Sequence, residues 1–209
     1  YTMQELKELV AYGERFGVTL TPCIQTLGHL RMPLMWNAHK EMKDSDDVLY
    51  VGKEETYQFI EAVFQTVCEC FKTRRVNIGM DEAHTLGMGR RLRKEGYTKK
   101  PELMTMHLER VGKLCEKHGI VPIIASDMFF RPFAPGYYTD TGEVPQEVID
   151  RVPPMYRIMY WDYYNCEKSE QSVAKFHHMI QQHKRFHNPI MFLGGAWKWM
   201  GFAPNNAFS

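Results

Sequence analysis

Charge of one sign is missing from this sequence: 26 basic residues stand against 25 acidic ones, a net charge of +1. No basic field for nucleic acid is implied. Long apolar runs are missing too, and none reaches the length of a membrane span. Cysteine is scarce. The five residues, at positions 23, 68, 70, 115 and 166, form neither a disulfide framework nor a zinc-ligand spacing. Cys68-Glu69-Cys70 reads as helix interior, where cysteine acts as a small hydrophobe, and this usage leans toward a reducing, cytoplasmic compartment. No Ser/Gly-rich linker or composition shift divides the chain, so its 209 residues read as a single domain. Neither an initiating methionine nor a signal peptide precedes Tyr1. We therefore expect the chain to be a fragment of a longer protein, whose compartment is not legible at this end.

What is present is enough apolar material for a sizeable core, 44% hydrophobic and 13% aromatic, arranged in alternating periods. Thr2 and Glu5 form a capping-box pattern, and Leu6, Leu9, Val10 and Phe16 predict a helical apolar face closed by Gly17. Residues 18–24 read as a short buried strand. A helix is predicted from about Lys53 to Lys72, with Ile60, Val63, Phe64, Val67 and Phe71 on one stripe. Then follow a strand at 76–79, a helix at 101–118 stopped by Gly119, and a strand at 120–125 that contains Pro122. A proline-rich loop with a short helix after Val144 leads to a strand at 157–161, a helix at 169–184 and a strand at 190–193. The basic cluster Arg90, Arg91, Arg93, Lys94 and the acidic Asp44, Asp46, Asp47 read as solvated surface.

Helices alternating with strands imply an α/β fold with a parallel sheet covered on both faces. An open doubly wound sheet and a (β/α)8 TIM barrel both fit that alternation. An open sheet gathers its polar residues at one switch point, often beside a glycine-rich phosphate turn, and Gly87-Met88-Gly89 alone does not make one. Here polar and aromatic residues follow nearly every strand, as at the C-terminal face of a barrel. The opening helix has no strand before it. An incomplete barrel lacking its first strands is the expectation.

The most informative stretch is Gly79-Met80-Asp81-Glu82-Ala83-His84. Neighbours in a regular strand point to opposite faces, so both carboxylates can face one ligand only where the strand breaks. Two carboxylates held close favour one acid and one anion, the division of labour that glycoside cleavage needs. A plain helix-capping role is the alternative for such a pair taken alone. Gly79-Met80-Asp81-Glu82 resembles the Gly-Gly-Asp-Glu signature of glycoside hydrolase family 20, the β-N-acetylhexosaminidases. One strand earlier, Pro22-Cys23-Ile24-Gln25-Thr26-Leu27-Gly28-His29 resembles the family's Pro-Glu-(apolar)-Asp-Thr-Pro-Gly-His segment.

The resemblance implies catalysis assisted by the substrate, with the sugar's 2-acetamido oxygen as nucleophile. Glu82 would be the general acid and base, and Asp81 would hold the acetamido N–H. It implies neither cofactor nor metal, and a carbohydrate ending in N-acetylhexosamine as partner, with no nucleic acid or membrane. His29 matches a histidine that contacts the general acid and that an Asp supports; Gln25 stands in that Asp's place. Asp127 falls at a strand end where the family has an aromatic before the acid, and here that neighbour is Ser126. Tyr160-Trp161-Asp162-Tyr163-Tyr164 loosely resembles a Tyr-Leu-Asp segment. By that comparison Tyr160 donates to the acetamido oxygen and Asp162 accepts from a sugar hydroxyl, with Tyr163 and Tyr164 equally placed as donors. Trp197 resembles the Trp that floors the sugar ring.

Two rivals are weighed beside this reading. One is a metal-dependent barrel hydrolase or isomerase using His29, Glu82, His84 and Asp127. The other is a catalytically silent carbohydrate-binding barrel. Met32 to Trp36 are expected to pack or to line a rim, and His107, His118, His177, His178, His183 and His187 to be structural or solvated.

Overall fold

The computed structural model describes residues 1–134, 136–139, 141–162 and 170–193. Contacts divide the chain into two compact units, Tyr1–Ile123 and Ile124–Ser209.

In the first unit, helix α1 (Met3–Glu14) opens on the expected capping box. The Glu5 N–H donates to Thr2 Oγ1 at 3.2 Å, and the Thr2 N–H donates to Glu5 Oε2 at 2.6 Å. Its apolar face is narrower than the pattern suggested. Val10 is buried, whereas Leu9 sits on the outer side and Phe16 lies beyond the helix end, both exposed. After a short helix α2 (Arg31–Leu34), helix α3 (Glu54–Cys70) buries Tyr57, Ile60, Phe64 and Val67, spaced three and four apart. It packs on α1 and on α5 (Lys100–His118), which follows strand β1 (Arg75–Asn77) and helix α4 (Arg90–Glu95). Gly119 closes α5 with φ 64°, a conformation a Cβ would oppose.

Strand β1 runs parallel to β2 (Val121–Ala125), with Val76 opposite Pro122. Proline is tolerated there because β1 draws on its neighbours: Val121 N–H donates to Arg74 O, and Ile123 O accepts from Ile78 N–H. The expected strand at 18–24 does not form. Only its end joins β1, through Ile24 N–H to Asn77 O (2.8 Å) and Asn77 N–H to Pro22 O (3.0 Å). Three-residue β1 offers no further partners, and Val18, Thr19 and Thr21 are exposed.

The charge clusters are corrected as well. Arg91 is buried and reaches Thr98 Oγ1 (2.8 Å) and Glu95 Oε2 (3.1 Å). Asp44 is buried too, accepting N–H bonds from Gly87 (3.1 Å) and Arg91 (2.6 Å). Both follow one rule: a buried charge persists where it is bonded. Met32, Met35 and Trp36 are exposed, so the expectation that they pack is not met.

The second unit begins in the last residues of β2 and continues through α6 (Asp127–Phe130), α7 (Gln146–Ile149), β3 (Arg157–Trp161), α8 (Glu170–His183) and β4 (Ile190–Leu193). Strands β3 and β4 pair in parallel from Ile158↔Ile190 to Trp161↔Leu193. Ser126 N–H donates to Met159 O at 3.0 Å, tying the end of β2 to β3. Phe130, Tyr138, Tyr160, His183 and Phe186 form one aromatic cluster, with ring centroids of His183 and Tyr160 4.6 Å apart. Among the described residues no helix is long and apolar enough to cross a membrane.

Candidate active site

Where β1 ends, the backbone leaves extended geometry. Gly79 has φ 67°, Met80 72° and Glu82 51°, and His29 on the facing segment has 56°. Three non-glycine residues in the left-handed region, each costing about 1–3 kcal/mol, mark a site held against local preference. The break aims Asp81 and Glu82 together, as the adjacent carboxylates required.

Residues 25–29 lie directly against this break. A Cβ on Gly28 would stand 2.8 Å from the Asp81 carbonyl, and one on Gly79 would stand 2.1 Å from Gln25 Oε1. Thr26 Oγ1 donates to Ile78 O at 2.8 Å, and Leu49 N–H donates to Leu27 O at 2.9 Å. From α5, buried His107 places Nε2 2.8 Å from Thr26 O. A carbonyl only accepts, so Nε2 carries the proton and Nδ1 accepts from the Tyr57 hydroxyl at 3.3 Å. Burial pushes His107 down to about 4, keeping it neutral.

His29 Nε2 lies 3.1 Å from Asp81 Oδ2 and 3.4 Å from Glu82 Oε2, bridging both carboxylates. Gln25 does not support His29 as its alignment suggested. Its Nε2 donates to Asp81 Oδ1 at 2.9 Å, while its Oε1 accepts from Met80 N–H at 3.3 Å. His84 is exposed, its N–H bonded to Glu82 O. Among the described residues no three His, Cys, Asp or Glu side chains gather as a metal site.

The second unit holds Asp127, Tyr160, Trp161 and Asp162, which meet in pairs there. Asp127 is fully buried, and its Oδ1 accepts from Trp161 Nε1 at 3.2 Å. Asp162 Oδ2 accepts from the Tyr160 hydroxyl at 3.1 Å and from Lys175 Nζ at 2.9 Å. Tyr138 packs edge-on against both Tyr160 and Trp161. Tyr163 and Trp197 lie outside the described residues.

Behind these groups runs a buried relay. His183 Nδ1 is 2.7 Å from Met179 O and must carry the proton, leaving Nε2 to accept from Ser126 Oγ at 2.9 Å. Ser126 Oγ is then free to accept from the Tyr138 hydroxyl at 2.8 Å. Burial pushes His183 down to about 4, and burial, then Asp127, raise the Tyr138 hydroxyl well above its usual range.

Most of the chain resembles a known family. Residues 1–189 match the description "Glycosyl hydrolase family 20, catalytic domain". The chain belongs to that family. A β-hexosaminidase of Vibrio furnissii is 28% identical over 131 residues, 54% of this chain and 21% of that protein. Human hexosaminidase D is 22% identical over 95% of this chain and 40% of its own length. The chain thus spans less than half the length of these relatives. A solved family 20 exo-β-N-acetylglucosaminidase of Vibrio harveyi, in complex with N-acetylglucosamine, shares the fold with a TM-score of 0.61 and 20% identity, over 92% of this chain and 28% of that one.

In this family 20 chain, the second signature glycine is Met80, which keeps a glycine-like φ of 72° while wholly buried. Four contributors were given no part in the site by the sequence reading. Lys175 reaches Asp162 from mid-helix, Tyr138 comes from an irregular loop, and Ser126 and His183 stand 57 residues apart. Only the buried-face position of His183 on α8 carries any periodic signal.

Proposed function

We infer that this family 20 chain carries the catalytic carboxylates of a retaining, exo-acting β-N-acetylhexosaminidase that removes terminal GlcNAc or GalNAc from glycans. The observation that carries the reading is the part-exposed Asp81–Glu82 pair, bridged by His29 on a strained strand end. On this reading the parallel strands are successive strands of a (β/α)8 barrel, and the solved relatives of like fold support that.

In the first step the substrate's acetamido oxygen attacks the anomeric carbon while Glu82 gives its proton to the departing glycosidic oxygen. An oxazolinium ion forms, and the bond to the leaving sugar breaks. In the second step Glu82, now a carboxylate, takes a proton from water as that water opens the ring with a second inversion; configuration is retained. Asp81 accepts the acetamido N–H, turning the nucleophilic oxygen toward the anomeric carbon and balancing the positive charge that develops. His29 sets the rotamers of both carboxylates. By the resemblance, Tyr160 or Tyr163 donates to the acetamido oxygen, Asp162 accepts from a sugar hydroxyl, Trp197 floors the ring, and Asp127 and Trp161 count among the substrate-binding residues.

The test is hydrolysis of a chromogenic β-N-acetylglucosaminide, with and without chelator, beside the plain β-glucoside. Turnover that survives chelator, requires the 2-acetamido group and collapses in Glu82→Gln supports the reading. Loss of activity in chelator favours metal-dependent chemistry, and a folded protein that binds the sugar without turnover favours a silent binding site.

A further inference from the structure

Gln25 is the residue at this site that the proposed mechanism leaves without a task. Its amide can sit in only one orientation. Oε1 receives Met80 N–H, and Nε2 points its hydrogen at Asp81 Oδ1. Reversing the amide would set oxygen against the Asp81 carboxylate and nitrogen against an N–H, losing both bonds. The backbone is shaped around this amide: Gly79 admits it only by lacking a Cβ, which would overlap Gln25 Oε1. His29 holds the other oxygen, Oδ2, of the same carboxylate. Asp81 is therefore gripped at both oxygens, by an amide on one side and an imidazole on the other.

We propose that Gln25 is a positioning residue for the acetamido group, acting through Asp81. The inference rests on the role of Asp81 given above. A donor on Oδ1 fixes the plane of the carboxylate, leaving its remaining lone pairs aimed where an acetamido N–H would arrive. A carboxylate in place of Gln25 would do the reverse, since acceptor would face acceptor. The effect belongs to the transition state, because Asp81 meets full positive charge only as the oxazolinium forms.

The experiment compares wild type with Gln25→Met, which keeps length and loses the donor, and with Gln25→Glu, which keeps shape and inverts the polarity. Each is measured for kcat, KM, melting temperature and affinity for a thiazoline-fused sugar, a stable mimic of the cyclised intermediate. We expect kcat to fall about 10- to 100-fold in Gln25→Met, the usual range for losing a hydrogen bond to a charged group, and at least as far in Gln25→Glu. KM and affinity for free N-acetylglucosamine should move less than about twofold, while affinity for the thiazoline falls in parallel with kcat/KM. An active wild type with both variants within about twofold of its kcat overturns the role of Gln25 alone. So do variants that lose thiazoline and product affinity equally, because that is the mark of general disruption. A wild type that neither turns over substrate nor binds the thiazoline overturns the reading of Asp81, and this inference with it.

Discussion

Asp81 and Glu82 in the first unit keep 26% and 29% of their side-chain surface exposed, whereas Asp127 and Asp162 in the second are 0% and 5% exposed. The first pair stands on backbone forced into the left-handed region and shares one half-exposed imidazole. The second pair stands at or beside regular strand ends, each acid bonded by a neighbour on its own unit, Trp161 for Asp127 and Lys175 for Asp162. On the proposed mechanism the carboxylates that meet the reacting groups are kept reachable, at a cost in local strain. Those of the second unit are buried and bonded. The two units thus house their acids differently.

The comparison is tested most severely by Glu82→Gln. It should lower kcat about 10²- to 10⁴-fold, the range of general acid–base catalysis, and leave the melting temperature nearly unchanged, because the side chain stays part-exposed and the change from Glu to Gln keeps its size and shape. A large fall in melting temperature would show that the acid is structural, like those of the second unit.

Next in size is a response to acid that both units should share. Burial lowers His107 and His183 from 6.5 to about 4. Below pH 6.5 the unfolded chain takes up protons that the folded chain refuses. Stability is therefore whole above pH 6.5 and falls as pH drops toward 4, by up to about 3 kcal/mol for each histidine. Urea midpoints measured between pH 7 and 4 should decline throughout that window; a flat profile would mean that neither imidazole is sealed from solvent.

Asp162→Ala strips Lys175 of its partner. A fully buried pair broken this way costs 3–5 kcal/mol, and with Lys175 23% exposed we expect about 2 kcal/mol. Chemical denaturation reads the loss, and a neutral result would show that the ion pair with Lys175 contributes nothing to the fold. Smallest is Tyr138→Phe, which deletes one bond to Ser126 for about 1 kcal/mol, or 2–4 °C in melting temperature. The bond is buried, so a rise in stability would mean that the relay is not formed.

Much of this fold was legible along the chain. Strands 157–161 and 190–193 fall where the apolar runs put them, and α5 begins one residue before its predicted start and ends at the predicted Gly119 boundary. Periodicity records which face of a local element is buried, and these elements have a buried face. The segment at 18–24 had the composition of a strand without a partner long enough to pair it. In the site, the approach of His29 to Glu82 was what the family resemblance implied, and its contact with Asp81 was not foreseen. Nor was the turn of Gln25 toward Asp81, since it joins residues 56 positions apart and depends on the torsions of Gly79 and Met80. Lys175 was hidden for a similar reason: a lysine on an amphipathic helix looks the same whether it meets solvent or a carboxylate.

The two buried imidazoles carry their protons on opposite nitrogens, Nε2 in His107 and Nδ1 in His183, and each hydrogen is locked to a backbone carbonyl. In a ¹⁵N spectrum the two tautomers give different patterns of protonated and bare nitrogen, so the rings are distinguishable without assignment by mutation. Buried and bonded to carbonyls, their ring hydrogens are expected to exchange slowly, one in each unit. The chain therefore carries its own pair of probes, through which the melting of one unit can be watched apart from the other.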